Sequence, residues 1–441
     1  MSQLALSTMT RYWPGSTIAG PLLFAALILM LLHSLKVVEA ELIATLFAWL
    51  FVIIELPRLK KNQRNLIGIL AFVGIVGATI AMNQGSTVSV EDLLTAHMNL
   101  LMLLASVHFI ALVTQLEKSQ THRGMPSFSL SLGCMHLISS VTSFSSVVLV
   151  GDQIKRNQTL DQLSQQLLSR GFALSVLWSP FLAMLPFTLE QVPNTELSQV
   201  YPFMILMAVL GLIITLLEAR FRTPDALSVY DGYPMKSSTL LLPAGLMLGV
   251  FGLKLLLPTL PTLAAVALMA LFVPLALLLW RNGMTQAGTQ FVMHIRDKLA
   301  DTRGEISLFL CAGVLAAGTR ALIETGLVSL PVTETDATVA SVVLVMMVLL
   351  ALSGVHQLAL VAIFASLLES VTTTPVIMTV AYVLAACLAM SSSTFSGLSF
   401  ILQARFNCRA RDLLKANLPY TGVMLLLGIL LLHGMQWIGV K

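Results

Sequence analysis

Charge is what this chain has least of. Only 10% of its 441 residues are Asp, Glu, Lys or Arg, while 57% are apolar, and a soluble domain of this length carries about 25% charged residues. A soluble globular protein is thereby excluded. Short alternating strands of the kind that build a membrane β-barrel are also missing. Cysteine is sparse: Cys134, Cys311, Cys387 and Cys408 lack metal-ligand spacing, and three of them sit in apolar runs as core residues. No Gly-x-Ser-x-Gly elbow, His-Glu-x-x-His pair or Gly-rich Walker lysine is present, so no catalytic arrangement stands out and an ATP-driven pump would need a partner subunit. The net charge of +4 is modest and its Lys and Arg residues fall mainly in short loops. That pattern reads as topology bias, not as a nucleic-acid surface. The N-terminus has no basic region and small-residue cleavage site ahead of its first apolar run, so that run is expected to stay as a helix.

What is there is a succession of apolar segments, at roughly 17–35, 38–56, 64–84, 93–116, 127–151, 171–190, 198–217, 237–257, 260–280, 304–325, 337–368, 375–403 and 417–437. Many reach the ~20 residues that a helix needs to cross ~30 Å of hydrocarbon. The expected fold is an all-α polytopic membrane protein with about eleven crossing helices. A polar connector holding Pro224, Asp225, Asp231, Gly232 and Pro234 divides it. The organisation read from this is a first repeat over 1–195, a connecting helix and polar loop over 196–236, and a second repeat over 237–441.

Two runs of hydroxyl side chains interrupt this apolar sequence. They are Ser139-Ser140-Val141-Thr142-Ser143-Phe144-Ser145-Ser146 and Ser391-Ser392-Ser393-Thr394-Phe395-Ser396-Gly397. At membrane depth an unsatisfied polar group costs several kcal/mol, so such a density of hydroxyls needs partners or a cavity. Close helix packing through small residues is the competing explanation.

The halves also resemble each other. Leu104-Ala105-Ser106-Val107-His108 aligns with Leu352-Ser353-Gly354-Val355-His356, and Phe144-Ser145 falls on Phe395-Ser396 after a three-residue shift. If every segment crosses, basic residues divide evenly between the two faces and the repeats are inverted. If 93–116 and 337–368 are instead re-entrant hairpins with tips near Ser106 and Gly354, nearly all basic residues share one face and the repeats are parallel. In that tally Arg11 lies with the majority, while Lys36, Lys118, Arg123 and Lys441 oppose it.

Paired hairpins followed by hydroxyl-rich broken helices resemble the ion transporter superfamily, which holds arsenite pumps, sodium–proton antiporters and sodium-coupled divalent-anion symporters. The segment from Glu305 to Gly326 before a hairpin, and Val150-Gly151-Asp152 after the first hydroxyl run, carry the likeness. The symporters' Ser-Asn-Thr signature is absent from both tips and both breaks. The resemblance implies inverted repeats with hairpins entering from opposite faces, and a secondary transporter.

A helix broken at mid-membrane offers N–H groups to an anion and carbonyls to a cation, with Ser and Thr hydroxyls completing the shell. The expected substrate and ion shell is therefore Thr142, Ser143, Ser145, Ser146, Ser393, Thr394 and Ser396, with Ser106 and Ser353 near the tips. Sodium, which prefers hard oxygen ligands, is placed at Thr142, Ser145, Thr394 and Ser396. His108 and His356 are either substrate or proton contacts or core residues, and Asp152 is either in a cation path or an interfacial cap. Arg320 and Lys254 are expected to snorkel, with Glu324 pairing Arg320 along one helix face. Pro180 is expected to kink the helix that Arg170 opens, and Trp178 to pack there or anchor at the interface.

The function expected is alternating-access transport of a small carboxylate-like anion coupled to Na⁺ or H⁺, with no other cofactor and no catalytic residue. The alternatives are a cation–proton antiporter and a non-transporting membrane subunit of an export complex. The lipid bilayer, the anionic substrate and a second copy in a homodimer are the partners considered, and the bacterial inner (plasma) membrane is the location.

Overall fold

The computed structural model of the chain describes residues 16–114, 117–118, 123–156, 158–326 and 332–441, and Arg11 lies outside them. In the first half the helices are α1 (Ser16–Ser34), α2 (Glu41–Glu55), α3 (Lys61–Asn83), α4 (Val90–Thr95), α5 (Met98–Val107), α6 (Met125–Thr142), α7 (Ser145–Ile154), α8 (Gln162–Ser175), α9 (Met184–Gln191) and α10 (Leu197–Arg222). A short α11 (Pro224–Ser228) sits in the connector. The second half holds α12 (Leu241–Leu256), α13 (Thr262–Asp297), α14 (Arg303–Glu324), α15 (Ala337–Leu352), α16 (Gln357–Leu368), α17 (Pro375–Ser392), α18 (Gly397–Phe406) and α19 (Ala410–Trp437).

Seven stretches among the described residues are long and apolar enough to cross a bilayer: 61–83, 90–112, 197–222, 238–256, 262–324, 375–406 and 410–437; 18–34, 337–352 and 357–371 are shorter apolar helices. The chain is an all-α polytopic membrane protein. Large apolar side chains such as Ile69, Phe72 and Leu248 are exposed on α3 and α12, where lipid would cover them, whereas the apolar window of the 375–406 stretch is wholly buried. That stretch therefore lies at the centre.

Local sequence sets the helix starts. Pro126 and Pro375 occupy first-turn positions of α6 and α17, and the carboxylates of Asp161 and Asp336 accept N–H bonds that cap α8 and α15. Glycine sets the closest helix crossing. A Cβ on Gly318 of α14 would overlap the Gly74 carbonyl of α3, and one on Gly74 would overlap the Val314 carbonyl. Small residues permit this backbone approach where no hydrophobic force acts between helices.

Two helix pairs fold back on themselves from opposite ends of the bundle. At one end Gly124, just before α6, donates its N–H to the Tyr230 carbonyl (2.8 Å), and Ile154, the last residue of α7, lines a small pocket with Tyr230. Entry to α6 and exit from α7 are thus neighbours, and the chain reverses at Ser143-Phe144, where Ser143 has φ +50°. Ser139 Oγ and Ser146 Oγ approach to 2.9 Å across that reversal, a separation that seven residues of straight helix, roughly 10 Å, would not allow.

At the other end Thr335, before α15, binds the chain that follows α16. Its N–H donates to the Val371 carbonyl (3.1 Å), and its Oγ1 accepts from the Thr373 and Thr374 N–H groups at 3.0 and 3.1 Å. This second hairpin turns at Ser353–His356, with Gly354 at φ +114°.

The packing pattern occurs twice. α6 lies along α8 as α15 lies along α17; α7 lies against α18 as α16 lies against α9; α10 packs on α8 and α17 as α19 packs on α17 and α8. The helix over 197–222, expected as a connector, thus holds the same place on α8 that α19 holds on α17.

Several expectations change here. Residues 90–112 run through α4 and α5 from Asp92 and Thr95, which lie beside Arg320, to the end where Lys118 meets Asp231 of the connector, and so are not a hairpin. Ser106 is buried inside α5, its hydroxyl donating to the Leu103 carbonyl (2.7 Å), so it is not a tip. His108 opens the short 3-10 turn 108–112 that ends this stretch and packs near His294, with ring centroids 5.2 Å apart, so it is not at a hairpin tip and is not the counterpart of His356. Lys118 pairs with Asp231 at the connector end and does not oppose the basic majority.

The helix pair that folds back in the first half is 125–154, and the basic residues divide unevenly between the two ends of the bundle. The groups at Arg58–Arg64, Lys155/Arg156, Arg220/Arg222, Arg296–Arg303 and Arg405–Lys415 gather at the connector end, and Lys36, Lys254, Arg320 and Lys441 lie towards the other.

Candidate functional site

The site is built where the turns of the two hairpins meet the two helix breaks. The first break is between α8 and α9. Pro180, which lacks an N–H, stands in Ser175-Val176-Leu177-Trp178-Ser179-Pro180-Phe181, and the helix does not resume until Met184. The second break, Ser393–Ser396, separates α17 from α18.

The two breaks share a hydrogen-bond pattern. Ser179 Oγ donates to the Ser140 carbonyl on α6 and accepts from the Phe181 N–H (3.1 Å). Ser393 Oγ donates to the Ala351 carbonyl on α15 (2.6 Å) and accepts from the Phe395 N–H (3.2 Å). Each break is pinned by one serine to its own hairpin, through a Ser-x-Phe triplet present in both halves. Ser179→Ala takes partners from the buried Ser140 carbonyl and the Phe181 N–H, and Ser393→Ala takes one from the Phe395 N–H while the Ala351 carbonyl keeps the Gly354 N–H (3.2 Å); a buried group left unpaired costs about 1–3 kcal/mol. We expect Ser179→Ala and Ser393→Ala to lower the melting temperature in detergent, with the double variant close to additive; an unchanged transition in both would remove the pins.

The halves meet through aromatic rings. Phe144, at the first hairpin turn, stacks on Phe172 of α8 (centroids 4.7 Å apart) and lies against Gly397, where a Cβ would come within 3.3 Å of its ring. Phe395 is 50% exposed and its ring lies 3.5 Å from where a Gly354 Cβ would be. The starts of α7, α16 and α18 are thereby brought near one another, each with its positive dipole end, and part of each first turn is already bonded: Ser146 N–H to the Ser143 carbonyl, Leu358 N–H to His356 and Ser399 N–H to Ser396.

The expected residues divide into groups. Ser143, Ser145, Ser353, His356 and Thr394 sit at the meeting point with some exposure, Ser145 and Ser353 being exposed. Thr142, Ser146, Ser393 and Ser396 are buried at its edge with hydroxyls already donating, Thr142 to Ile138, Ser146 to Ser143 and Ser396 to Met390 carbonyls. Ser396 also caps α18 by accepting from the Ser399 N–H (3.1 Å). Of the four sodium candidates, Ser145 and Thr394 are thus the two whose side chains are not buried. His356 Nδ1 accepts from the Leu358 N–H (3.3 Å) and caps α16.

Asp152 belongs elsewhere. At the far end of α7 it receives Lys155 Nζ (2.9 Å) and Arg405 Nη2 of α18 (2.8 Å), tying the two short helices together. Of the two readings of Asp152, these ion pairs at the helix end fit an interfacial cap. Arg320 pairs with Glu369 (2.7 Å) instead of Glu324, Lys254 caps the Pro258 and Leu260 carbonyls, and Trp178 Nε1 donates to His136 (3.0 Å) as a packed core residue.

Ser140 and Phe144, within the first hydroxyl run, and Phe172 and Ser179 were not among the expected shell residues. The repeated Ser-x-Phe at 179–181 and 393–395 was the available signal. Also missed was a cavity of about 410 Å³ near the end opposite the connector, lined by His97, Glu190, Gln191, Arg320 and small residues of α14.

The sequence matches no protein-family model and no curated protein. Among solved structures it is similar to the YdaH transporter of Alcanivorax borkumensis, whose crystal structure is described as revealing an unusual topology. The TM-score is 0.49 at 15% identity, over 84% of this chain and 85% of that one.

Proposed function

We propose that the protein is a secondary transporter that binds a small carboxylate-like anion between its two inverted halves and carries it with Na⁺ or H⁺. The observation that carries this reading is the convergence of the α7, α16 and α18 N-termini beside exposed hydroxyls, where Phe144 meets Gly397 and Phe395 meets Gly354. Helix N-termini favour negative charge, and a break lined by hydroxyls supplies further donors. Hairpins that enter from opposite ends give each side of the membrane one turn that can close over the site. By the bias of basic residues, the connector end faces the cytoplasm.

Ser145→Asp tests the reading. A carboxylate in the first turn of α7 suits the helix dipole and should leave the fold intact, yet it places negative charge where the anion would bind. In proteoliposomes screened with small mono- and dicarboxylates, an anion taken up by the parent protein should enter the variant at least tenfold more slowly, with an unchanged melting temperature. Equal uptake in parent and variant would remove the N-termini from the substrate path.

A further inference from the structure

The cavity of about 410 Å³ lies away from the hairpin turns, at the C-terminal end of α9, and its polar floor has a definite sense. His97 Nδ1 is 3.1 Å from the Phe309 carbonyl, which can only accept, so Nδ1 carries the proton and Nε2 is the acceptor. Gln191 Nε2, 2.6 Å from His97 Nε2, must then donate. That fixes the amide with Oε1 as its remaining group. Gln191 is only 4% exposed and Oε1 has no partner; Glu190 Oε2 is likewise buried and unpartnered. Glu190 Oε1 has one long contact, to Asn99 Nδ2 at 3.5 Å.

The two unpartnered buried atoms of the floor are therefore both acceptors, an arrangement that costs free energy when nothing occupies it. The last turn of α9 adds the negative end of its dipole. Asp92 and Glu324 line the same cavity and are exposed, while Arg320, the basic residue in the lining, is engaged by Glu369. The field favours a cation.

Volume and lining bear on which kind. The share of liquid volume per water is about 30 Å³, so the cavity of about 410 Å³ has room for a molecule with a carbon skeleton as well as for a hydrated ion. Its opposite wall is Gly313, Ala316, Ala317 and Ala321, small residues of α14 that leave space for an apolar body. Among the described residues no group of three His, Cys, Asp or Glu side chains forms a metal set.

We infer that this cavity binds a small organic cation through a primary ammonium group, which donates to Glu190 and Gln191 while its alkyl part lies along α14. The site is independent of the anion site and opens toward the end away from the connector.

The test is thermal unfolding of the full chain in detergent at constant ionic strength, with n-butylammonium, butyltrimethylammonium and sodium chlorides. Butylammonium should raise the melting temperature by roughly 3 °C at a hundredfold excess over its Kd. Butyltrimethylammonium, which has no N–H to donate, and sodium should raise it far less. Glu190→Gln should abolish the shift without lowering the ligand-free transition, since it removes an unpartnered carboxylate. Ala317→Phe, which fills the cavity from α14 without touching the floor, should abolish it too. Equal shifts from butylammonium and sodium, equal shifts from the two alkyl cations, or a shift that survives Glu190→Gln would each overturn the assignment.

Discussion

Arg170→Ala is expected to destabilise the protein by about 3–5 kcal/mol, the cost of breaking a buried ion pair by removing one partner. Arg170 is 0% exposed and is held from two helices. Its Nε donates to Asn417 Oδ1 (2.9 Å), Nη2 to the Ala416 carbonyl (2.8 Å) and Nη1 to Glu218 Oε2 (2.8 Å), with the guanidinium 4.2 Å from the Tyr420 ring centroid. One side chain of α8 thus joins α10 to α19, the helices that close the two halves. Its removal leaves Glu218 with only Arg222 (3.1 Å) and takes the guanidinium donor from the buried Asn417 Oδ1 and from the Ala416 carbonyl. Lysine keeps the charge but not the three-way fork, so Arg170→Lys should recover only part of the loss. Denaturant unfolding in detergent measures both variants; an Arg170→Ala protein within 1 kcal/mol of the parent, an outcome below the range for such pairs, would show that the clamp does not hold the halves together.

Gly318→Leu comes next, at about 3 kcal/mol or more, the upper end for forcing extra atoms into a packed interface. The atom that a Cβ would strike is the Gly74 carbonyl oxygen, part of the α3 backbone. No side-chain rotation can relieve that contact, so the two helices must separate along their crossing. Gly68→Ala on the same helix α3 is the control, because nothing lies within 4 Å of the added methyl. It should stabilise by up to ~1 kcal/mol through helix propensity. If both variants unfold with the parent, the crossing is looser than its geometry implies.

The places where the chain breaks were legible before any coordinates existed. Ser139–Ser146, Ser391–Gly397 and Pro180 each put polar atoms or a missing N–H inside apolar runs, and all three coincide with helix ends. Their roles were not legible. The likeness of Leu104–His108 to Leu352–His356 paired a buried stretch of α5 with a hairpin turn, because apolar letters repeat by chance at this composition. The true parallel, Ser179-Pro180-Phe181 with Ser393-Thr394-Phe395, rests on three residues and on hydrogen bonds to carbonyls that no sequence displays. The cavity floor was equally hidden, since His97 and Gln191 are 94 residues apart and neither stands in a motif.

By itself, then, the sequence determined the solvent, the helical class and the points of interruption, because hydrocarbon length and unsatisfied backbone groups act on local stretches of chain. The tertiary structure alone decided which interrupted helix reverses and which continues, and therefore the relation between the halves. A hairpin and a crossing helix have the same composition. They differ only in whether the two ends of the segment find each other, as Gly124 and Ile154 do beside Tyr230 and as Thr335 and Thr374 do directly.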